Sequence, residues 1–219
     1  MKTAMILAAG RGERLRPLTE NQPKALCMVH GKPLIEHHVI NLALAGFNRI
    51  VINHAYLGGQ IRQHLGDGSR WGVEICYVPE PPGGLETGGG IVNALALLGD
   101  QPFITVNADV FTDFNFKKLQ TDAINCIHLI VVKKNPALQH LGDFGLINGH
   151  HLTNSNLEYT FAGIACYHPQ VFSKEKPGRY SVTPLLKQFT SENKVTADLH
   201  QGTWFDIGSI ERLQAANNS

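Results

Sequence analysis

The apolar positions change period along the chain, and the changes mark its elements. Ala4 to Ala9 is a continuous apolar run, and with Thr3 it reads as a strand buried on both faces, Thr3 to Ala9. A polar, glycine-containing stretch follows as far as Lys24. Pro33 then stands where the first turn of a helix accepts proline, and Ile35, Val39, Leu42 and Ala43 follow at helical spacing until Gly46 stops them. Arg49 to Ile52 reads as a second strand, Tyr56 to Leu65 as a helix closed by Gly66, and Val73 to Val78 as a third strand. Residues 79–90 are rich in proline and glycine and predict a loop, with Thr87 as cap for a helix whose apolar face is Ile91, Ala94, Leu95 and Leu98. Pro102 to Val106 is the fourth strand, ending in Asn107-Ala108-Asp109.

Strands that alternate with helices predict a parallel sheet with right-handed crossovers, a Rossmann-like open sheet flanked by helices. Ligands in such sheets bind outside the carboxyl ends of the strands. The loop after the first strand, the 79–90 loop and Asp109 all fall there, so one cleft can hold all three. The second half is less regular. Asn125 to Val132 reads as a strand, residues 142–149 as a hairpin, Tyr159 to Tyr167 as a strand, Val182 to Thr190 as a helix and Lys194 to Leu199 as a short strand. Trp204 to Gly208 reads as a turn into a last helix, 210–216, capped by Ser209. No linker or repeat divides the chain. The expectation is a single domain, 1–219, built of two halves, 1–110 and 111–219.

Composition narrows the function by exclusion. The chain has 219 residues, 43% of them hydrophobic, enough to bury a full core in one domain. Its formal net charge of +1 implies no bulk attraction to nucleic acid or to a membrane. Cys27, Cys76, Cys126 and Cys166 are scattered beside apolar runs, as small hydrophobes in a reducing, cytoplasmic protein would be. The histidines share no metal-ligand spacing with acids or cysteines. The first apolar run is too short for a membrane span or a secretory signal.

The positive charge gathers instead in the loop Gly10-Arg11-Gly12-Glu13-Arg14-Leu15-Arg16-Pro17-Leu18-Thr19, closed by Pro23-Lys24. Glycine lets backbone approach a ligand and successive N–H groups cradle an anion; arginine and lysine supply charge for phosphate oxygens. Leu15 stands where the dinucleotide fingerprint needs its third glycine, and the second strand ends in Asn53-His54 rather than the ribose-binding acid. Gly31-Lys32 is followed by Pro33, so there is no Walker loop. The pattern G-x-G-x-R-x-x-P-L-T with a following P-K fits at Gly10, Gly12, Arg14, Pro17, Leu18, Thr19, Pro23 and Lys24. On these residues the chain resembles the sugar-1-phosphate nucleotidyltransferases, and it does so over nearly its whole length.

The resemblance implies the nucleotidyltransferase or GT-A-like version of the fold, without the β-helix domain of longer relatives. It implies transfer of a nucleotidyl group from a nucleoside triphosphate to a sugar 1-phosphate, with pyrophosphate leaving. Both partners are anions, so charge neutralisation and alignment carry the reaction and no nucleophilic side chain is needed. By resemblance, Asp109 and Asp206 (in Trp-Phe-Asp-Ile-Gly-Ser) hold Mg²⁺, a cation that takes few protein carboxylates and keeps phosphate oxygens and waters. Arg14 meets the β- and γ-phosphates and Lys24 the α-phosphate. Ala8, Ala9, Gly10, Arg11, Gly12 and Glu13 hold the nucleotide, Glu80 reads the base, and Gly88 lets the base lie on backbone. Asn107, Gly145 and Glu158 contact the sugar. A carboxylate at Glu80 favours uracil, thymine or guanine, which carry an imide-type N–H, over adenine and cytosine.

Leu85-Glu86-Thr87-Gly88-Gly89-Gly90 departs from the commoner L-G-T-A form. With Asn53-His54, Gly66-Asp67-Gly68, Asn107-Ala108-Asp109 and Thr160-Phe161-Ala162-Gly163-Ile164, it resembles a short bacterial branch that uridylylates an amino-sugar 1-phosphate in cell-wall recycling. Mannose or glucose 1-phosphate as acceptor, with guanylyl or uridylyl transfer, is the rival within the family. A sensor without turnover is the rival outside it, and it has no need of Arg14, Lys24, Asp109 and Asp206 together. Two departures matter. Tyr159 follows Glu158 where many relatives carry a lysine for the sugar phosphate, and Met28 replaces a proline. The partners implied are small molecules, acting on a monomer or small homo-oligomer.

Overall fold

The computed structural model describes residues 2–119, 124, 126–133 and 142–219. In chain order its elements are β1 (Thr3–Leu7), β2 (Met28–Val29), β3 (Lys32–Pro33), α1 (Leu34–Leu44), β4 (Arg49–His54), α2 (Gly58–Leu65), β5 (Glu74–Pro79), α3 (Glu86–Leu98), β6 (Phe103–Asn107) and β7 (Val110–Thr112). There follow β8 (Ile127–Lys133), β9 (Gly145–Ile147), β10 (His151–Thr153), β11 (Tyr159–Tyr167), α4 (Thr183–Ser191), β12 (Val195–His200), β13 (Trp204–Asp206) and α5 (Ile210–Asn217). The start of the expected strand at Asn125 lies outside the described residues.

One nine-stranded sheet, in the order β5-β4-β1-β6-β11-β8-β12-β10-β9, runs through both halves of the chain. It is parallel through β5, β4, β1 and β6, where the strand–helix alternation predicted it. β11 then runs antiparallel to both β6 and β8, and β12 returns parallel to β8. Side chains of successive strand residues point to opposite faces, and that alternation sorts the core into two layers. Ala4, Ile6, Ile50, Ile52, Ile104 and Val106 pack beneath α1 and α2, through Ile35, Val39, Leu42 and Ile61. Met5, Val51, Leu129, Val131 and Ala165 pack on the other face, against Ile91, Ala94 and Leu98 of α3 and Leu185 and Leu186 of α4. A third, smaller cluster joins Leu15, Cys27, Val29, Leu34, Ile207, Leu213 and Ala216. It fastens the glycine-rich loop to α5, and Leu15 is fully buried in it. Among the described residues, no helix is long and apolar enough to cross a membrane.

Two local expectations change. The run Gly88-Gly89-Gly90 lies inside α3 rather than in the preceding loop, and Thr87 is the helix's second residue, not its cap. Its hydroxyl instead accepts the backbone N–H of Val182 at 2.9 Å. The expected turn at Trp204 is strand β13, which pairs antiparallel with β7 in the register Trp204–Thr112, Phe205–Phe111 and Asp206–Val110. Both changes come from partners some ninety residues away, which local propensity does not see.

Candidate active site

Strand register assembles the site. Leu7 of β1 lies beside Asn53 of β4 and Asn107 of β6, so three carboxyl ends finish side by side. Ala8 donates its N–H to Asn53 Oδ1 at 2.9 Å, and Ala108 donates to the Leu7 carbonyl at 3.0 Å. The loop that leaves β1 is then turned by Gly12, at φ +72°. A Cβ there would also fall 2.9 Å from the Lys24 Cβ, so only glycine fits on both counts. Thr19 closes the turn, its hydroxyl donating to the Gly12 carbonyl at 2.7 Å. Lys24 is thereby brought under the loop, nearly buried at 9% exposure, with Nζ 2.5 Å from Asp109 Oδ2.

Asp206 arrives by the β7–β13 ribbon. Ile207 donates its N–H to the Asp109 carbonyl at 2.9 Å, which sets Asp109, just before β7, beside Asp206, the last residue of β13. Arg212, on the first turn of α5, holds Asp206 Oδ2 at 2.8 Å. Each carboxylate therefore carries one cation. A pair of half-exposed carboxylates with no third acid, histidine or cysteine grouped around it among the described residues suits a hard cation whose remaining ligands are substrate oxygens and water.

A cleft of about 550 Å³ opens over these groups. Of the expected site residues, Ala8, Ala9, Gly10, Arg11, Glu13, Lys24, Asn107 and Asp109 line it, and Gly12 does not. Arg11 is held by Glu13 at 2.8 Å and lies 4.7 Å from the ring centroid of Tyr56. Gly83, Gly84, Glu86, Thr87 and Arg179 line the far end. Four of these belong to the 79–90 loop that the sequence places at the cleft without naming them as binding residues, and the Gly83-Gly84 pair has φ angles of +94° and +72°; sequence reasoning missed Arg179. Asn107 gains its room from Gly163, at φ +74° beside an irregularity in β11; a Cβ there would fall 2.8 Å from the Asn107 amide nitrogen.

Other candidates stand elsewhere. Gly88 does not face the cleft: the Tyr180 ring covers it, and its N–H donates to the Tyr180 carbonyl at 2.9 Å. A base cannot lie there, because the space is filled by protein. Glu80 is buried, and both its oxygens are engaged within the protein: Asn53 Nδ2 donates to one at 2.7 Å and the Leu85 N–H to the other at 2.7 Å. Its carboxylate ties β4 to the 80s loop instead of facing a base. Arg14 lies against Gly208, its guanidinium 3.1 Å from where a Cβ would stand, and so links the first loop to the Asp206 turn rather than lining the cleft. Gly145 is packed under the Ser155 carbonyl and Glu158 is exposed; neither lines the cleft. A second cavity of about 960 Å³ begins at Asp206 and is lined by Arg212, Lys133, His200, Asp143, Tyr159 and Thr160.

Titration adds one exclusion. Burial pushes the Cys27 thiol above its ordinary value, against the pull of Lys24. It stays a thiol at neutral pH, so the cysteine nearest the cleft is no nucleophile.

The profile of the family described as "Nucleotidyl transferase" matches residues 3–219. The chain is 47% identical to the N-acetylmuramate alpha-1-phosphate uridylyltransferase of Neisseria meningitidis serogroup B, over 97% of this chain and 96% of that one. It is 30% identical to the enzyme of the same name from Caulobacter vibrioides, over 98% and 95%. Among solved structures, a Bacillus anthracis protein assigned as a glucose-1-phosphate thymidylyltransferase superposes with a TM-score of 0.89 at 22% identity, covering 100% of this chain and 94% of that one. A chain matched by the family's profile from residue 3 to residue 219, and carrying a glycine-rich loop with the Lys24–Asp109 pair beneath it, is a member of the nucleotidyl transferase family.

Proposed function

We propose that the chain is a Mg²⁺-dependent uridylyltransferase that joins UTP to N-acetyl-α-muramate 1-phosphate, giving UDP-N-acetylmuramate and pyrophosphate. The single observation that carries the chemistry is the Lys24–Asp109 pair at 2.5 Å at the head of the nucleotide cleft, with Asp206, the last residue of β13, beside Asp109. The likeness in length and sequence to the Neisseria protein supports the choice of nucleotide and sugar.

A phosphate oxygen of the sugar 1-phosphate attacks the α-phosphorus in line, and the bond to the β-phosphate oxygen breaks. Asp109 and Asp206 would hold Mg²⁺, which supplies positive charge to the phosphate oxygens. Backbone N–H groups of the first loop take the triphosphate. Lys24 moves from Asp109 onto the α-phosphate oxygens as charge develops there, a role for a fixed cation in a site that excludes water. Arg14 braces the Asp206 turn from outside the cleft. Asn107 faces the sugar from the cleft wall, while Asp143, Tyr159 and Arg212 offer the second cavity to the acceptor. The activity belongs to the cytoplasm, where nucleoside triphosphates are made.

The test is Mg²⁺-dependent pyrophosphate release, with UTP, GTP, dTTP, CTP and ATP each paired with N-acetylmuramate, N-acetylglucosamine, glucose and mannose 1-phosphates. Release confined to UTP with the muramate supports the reading. Release with GTP and mannose keeps the chemistry and discards the substrates. No release from folded protein discards the enzyme.

A further inference from the structure

Three consecutive glycines inside a helix weaken it relative to alanine. α3 carries Gly88, Gly89 and Gly90 early in its length. Their surroundings account for them. A Cβ on Gly89 would fall 1.9 Å from the Gly178 carbonyl oxygen, and one on Gly88 would fall 2.6 Å from the Tyr180 ring. Gly88 and Gly89 let residues 178–180 lie directly on the helix, while Gly90 makes room for Asn53 and Glu80. Hydrogen bonds then fasten that segment: Gly88 and Gly89 donate to the Tyr180 carbonyl at 2.9 and 3.1 Å, and Tyr180 donates to the Leu85 carbonyl at 3.1 Å.

Arg179 stands between the two docked residues. Its side chain is exposed and lines the nucleotide cleft, the one lining residue beyond Asp109 among the described residues. Its guanidinium lies 3.5 Å from Glu86 Oε1, too long for a good hydrogen bond, and 3.7 Å from where a Cβ on Gly83 would stand. The other cations of the cleft, Arg11 and Lys24, are held at the phosphate end by Glu13 and Asp109. Among the described residues that line the cleft, Arg179 is the cation at the opposite end, beside Gly83 and Gly84, paired with Glu86 through Nε.

We propose that Arg179 is a nucleotide-binding residue that closes the base end of the cleft by donating to a carbonyl oxygen of the nucleobase, and that Gly88 and Gly89 of α3 seat it. The proposal rests on the nucleotidyl-transfer reading above. Guanidinium nitrogens only donate. They match the O4 carbonyl of uracil and meet another donor where cytosine carries its amino group. Such a site rejects the wrong base because its polar groups are left unpaired. This supplies the base discrimination that Glu80, engaged with Asn53 and Leu85, does not.

The experiment measures binding to the full chain by titration calorimetry, with UTP, CTP and inorganic tripolyphosphate as probes. Arg179→Ala is exposed and leaves the fold intact. The expected result is that UTP binding weakens by about tenfold to a hundredfold, tripolyphosphate binding does not change, and the preference for UTP over CTP collapses. Arg179→Lys recovers part of the affinity. Gly89→Ala, which lifts residues 178–180 while leaving Arg179 in the chain, reproduces the Arg179→Ala pattern. Equal weakening of UTP and tripolyphosphate overturns the proposal, since it reports bulk charge; so does no weakening at all. A wild-type protein that binds UTP without turning it over loses the enzymatic reading and still tests Arg179. One that binds no nucleotide loses both.

Discussion

Lys24 Nζ sits 2.5 Å from Asp109 Oδ2, a contact between residues 85 apart in sequence. The lysine is nearly buried and the aspartate half-exposed. Each charge compensates the other in the structure; in the proposed mechanism each would pass to a new partner, the carboxylate to a divalent cation and the ammonium to phosphate. Replacing Lys24 by methionine removes the cation from both states. We expect kcat to fall by about 10²–10³ with the melting temperature little changed. A variant within twofold of wild type in pyrophosphate release takes Lys24 out of the mechanism.

The two carboxylates are separable from the fold. Asp109→Asn and Asp206→Asn keep their shape and their places at the β7–β13 ribbon, and lose the charge that would hold the metal. Turnover should drop by about 10³ or more in each, with circular dichroism unaltered. A chelator should silence the wild type and Mg²⁺ restore it. Near-normal activity in both variants would sink the assignment of Asp109 and Asp206 to the metal.

Glu80 makes the opposite prediction. Its oxygens take the Asn53 amide and the Leu85 N–H in a buried setting, so Glu80→Ala leaves two donors without partners. Urea unfolding should show a loss of about 2–4 kcal/mol. Were Glu80 reading the base, the variant would keep its stability and lose its nucleotide preference instead.

His38 gives the fold a pH dependence. Full burial pushes its pKa down to about 4, against backbone acceptors at Val110 and Asn107 that hold it up. Between pH 6.5 and 4 the unfolded chain takes a proton there and the folded protein does not. Stability is therefore complete above 6.5 and declines as pH falls, by about 3 kcal/mol across that window. His54 and His128 are also lowered, chiefly by burial, and act in the same direction. Urea midpoints from pH 7.5 to 4.5 should fall in the wild type and fall less in His38→Leu. Equal midpoints at both ends would refute it.

What the sequence disclosed was local. The apolar run of β1, the helical spacing of Ile35, Val39 and Leu42, and the Gly12–Lys24 spacing each depend on neighbours in the chain, and the parallel half of the sheet follows from them. Gly88 and Gly89 of α3 read as loop because the reason for them, the Tyr180 ring and the Gly178 carbonyl, lies ninety residues on. β13 read as a turn for the same cause, since its partner is β7. Glu80 carries no local mark that separates a carboxylate facing a ligand from one bridging Asn53 and Leu85. Arg179 sits in a polar stretch with no pattern of its own, and only the docking of its neighbours on α3 brings it to the cleft.

The β7–β13 ribbon has a further consequence. Asp109 closes the first half of the chain, while Asp206 belongs to its last strand, tethered by the Ile207 N–H to the Asp109 carbonyl. The glycine-rich loop shares its buried cluster with Ile207, Leu213 and Ala216, so neither the loop nor the second carboxylate is in place until the last strand and helix have folded. Turnover thus reports the arrival of the final strand. In a refolding experiment, nucleotide binding and turnover should recover together, both timed by the end of the chain.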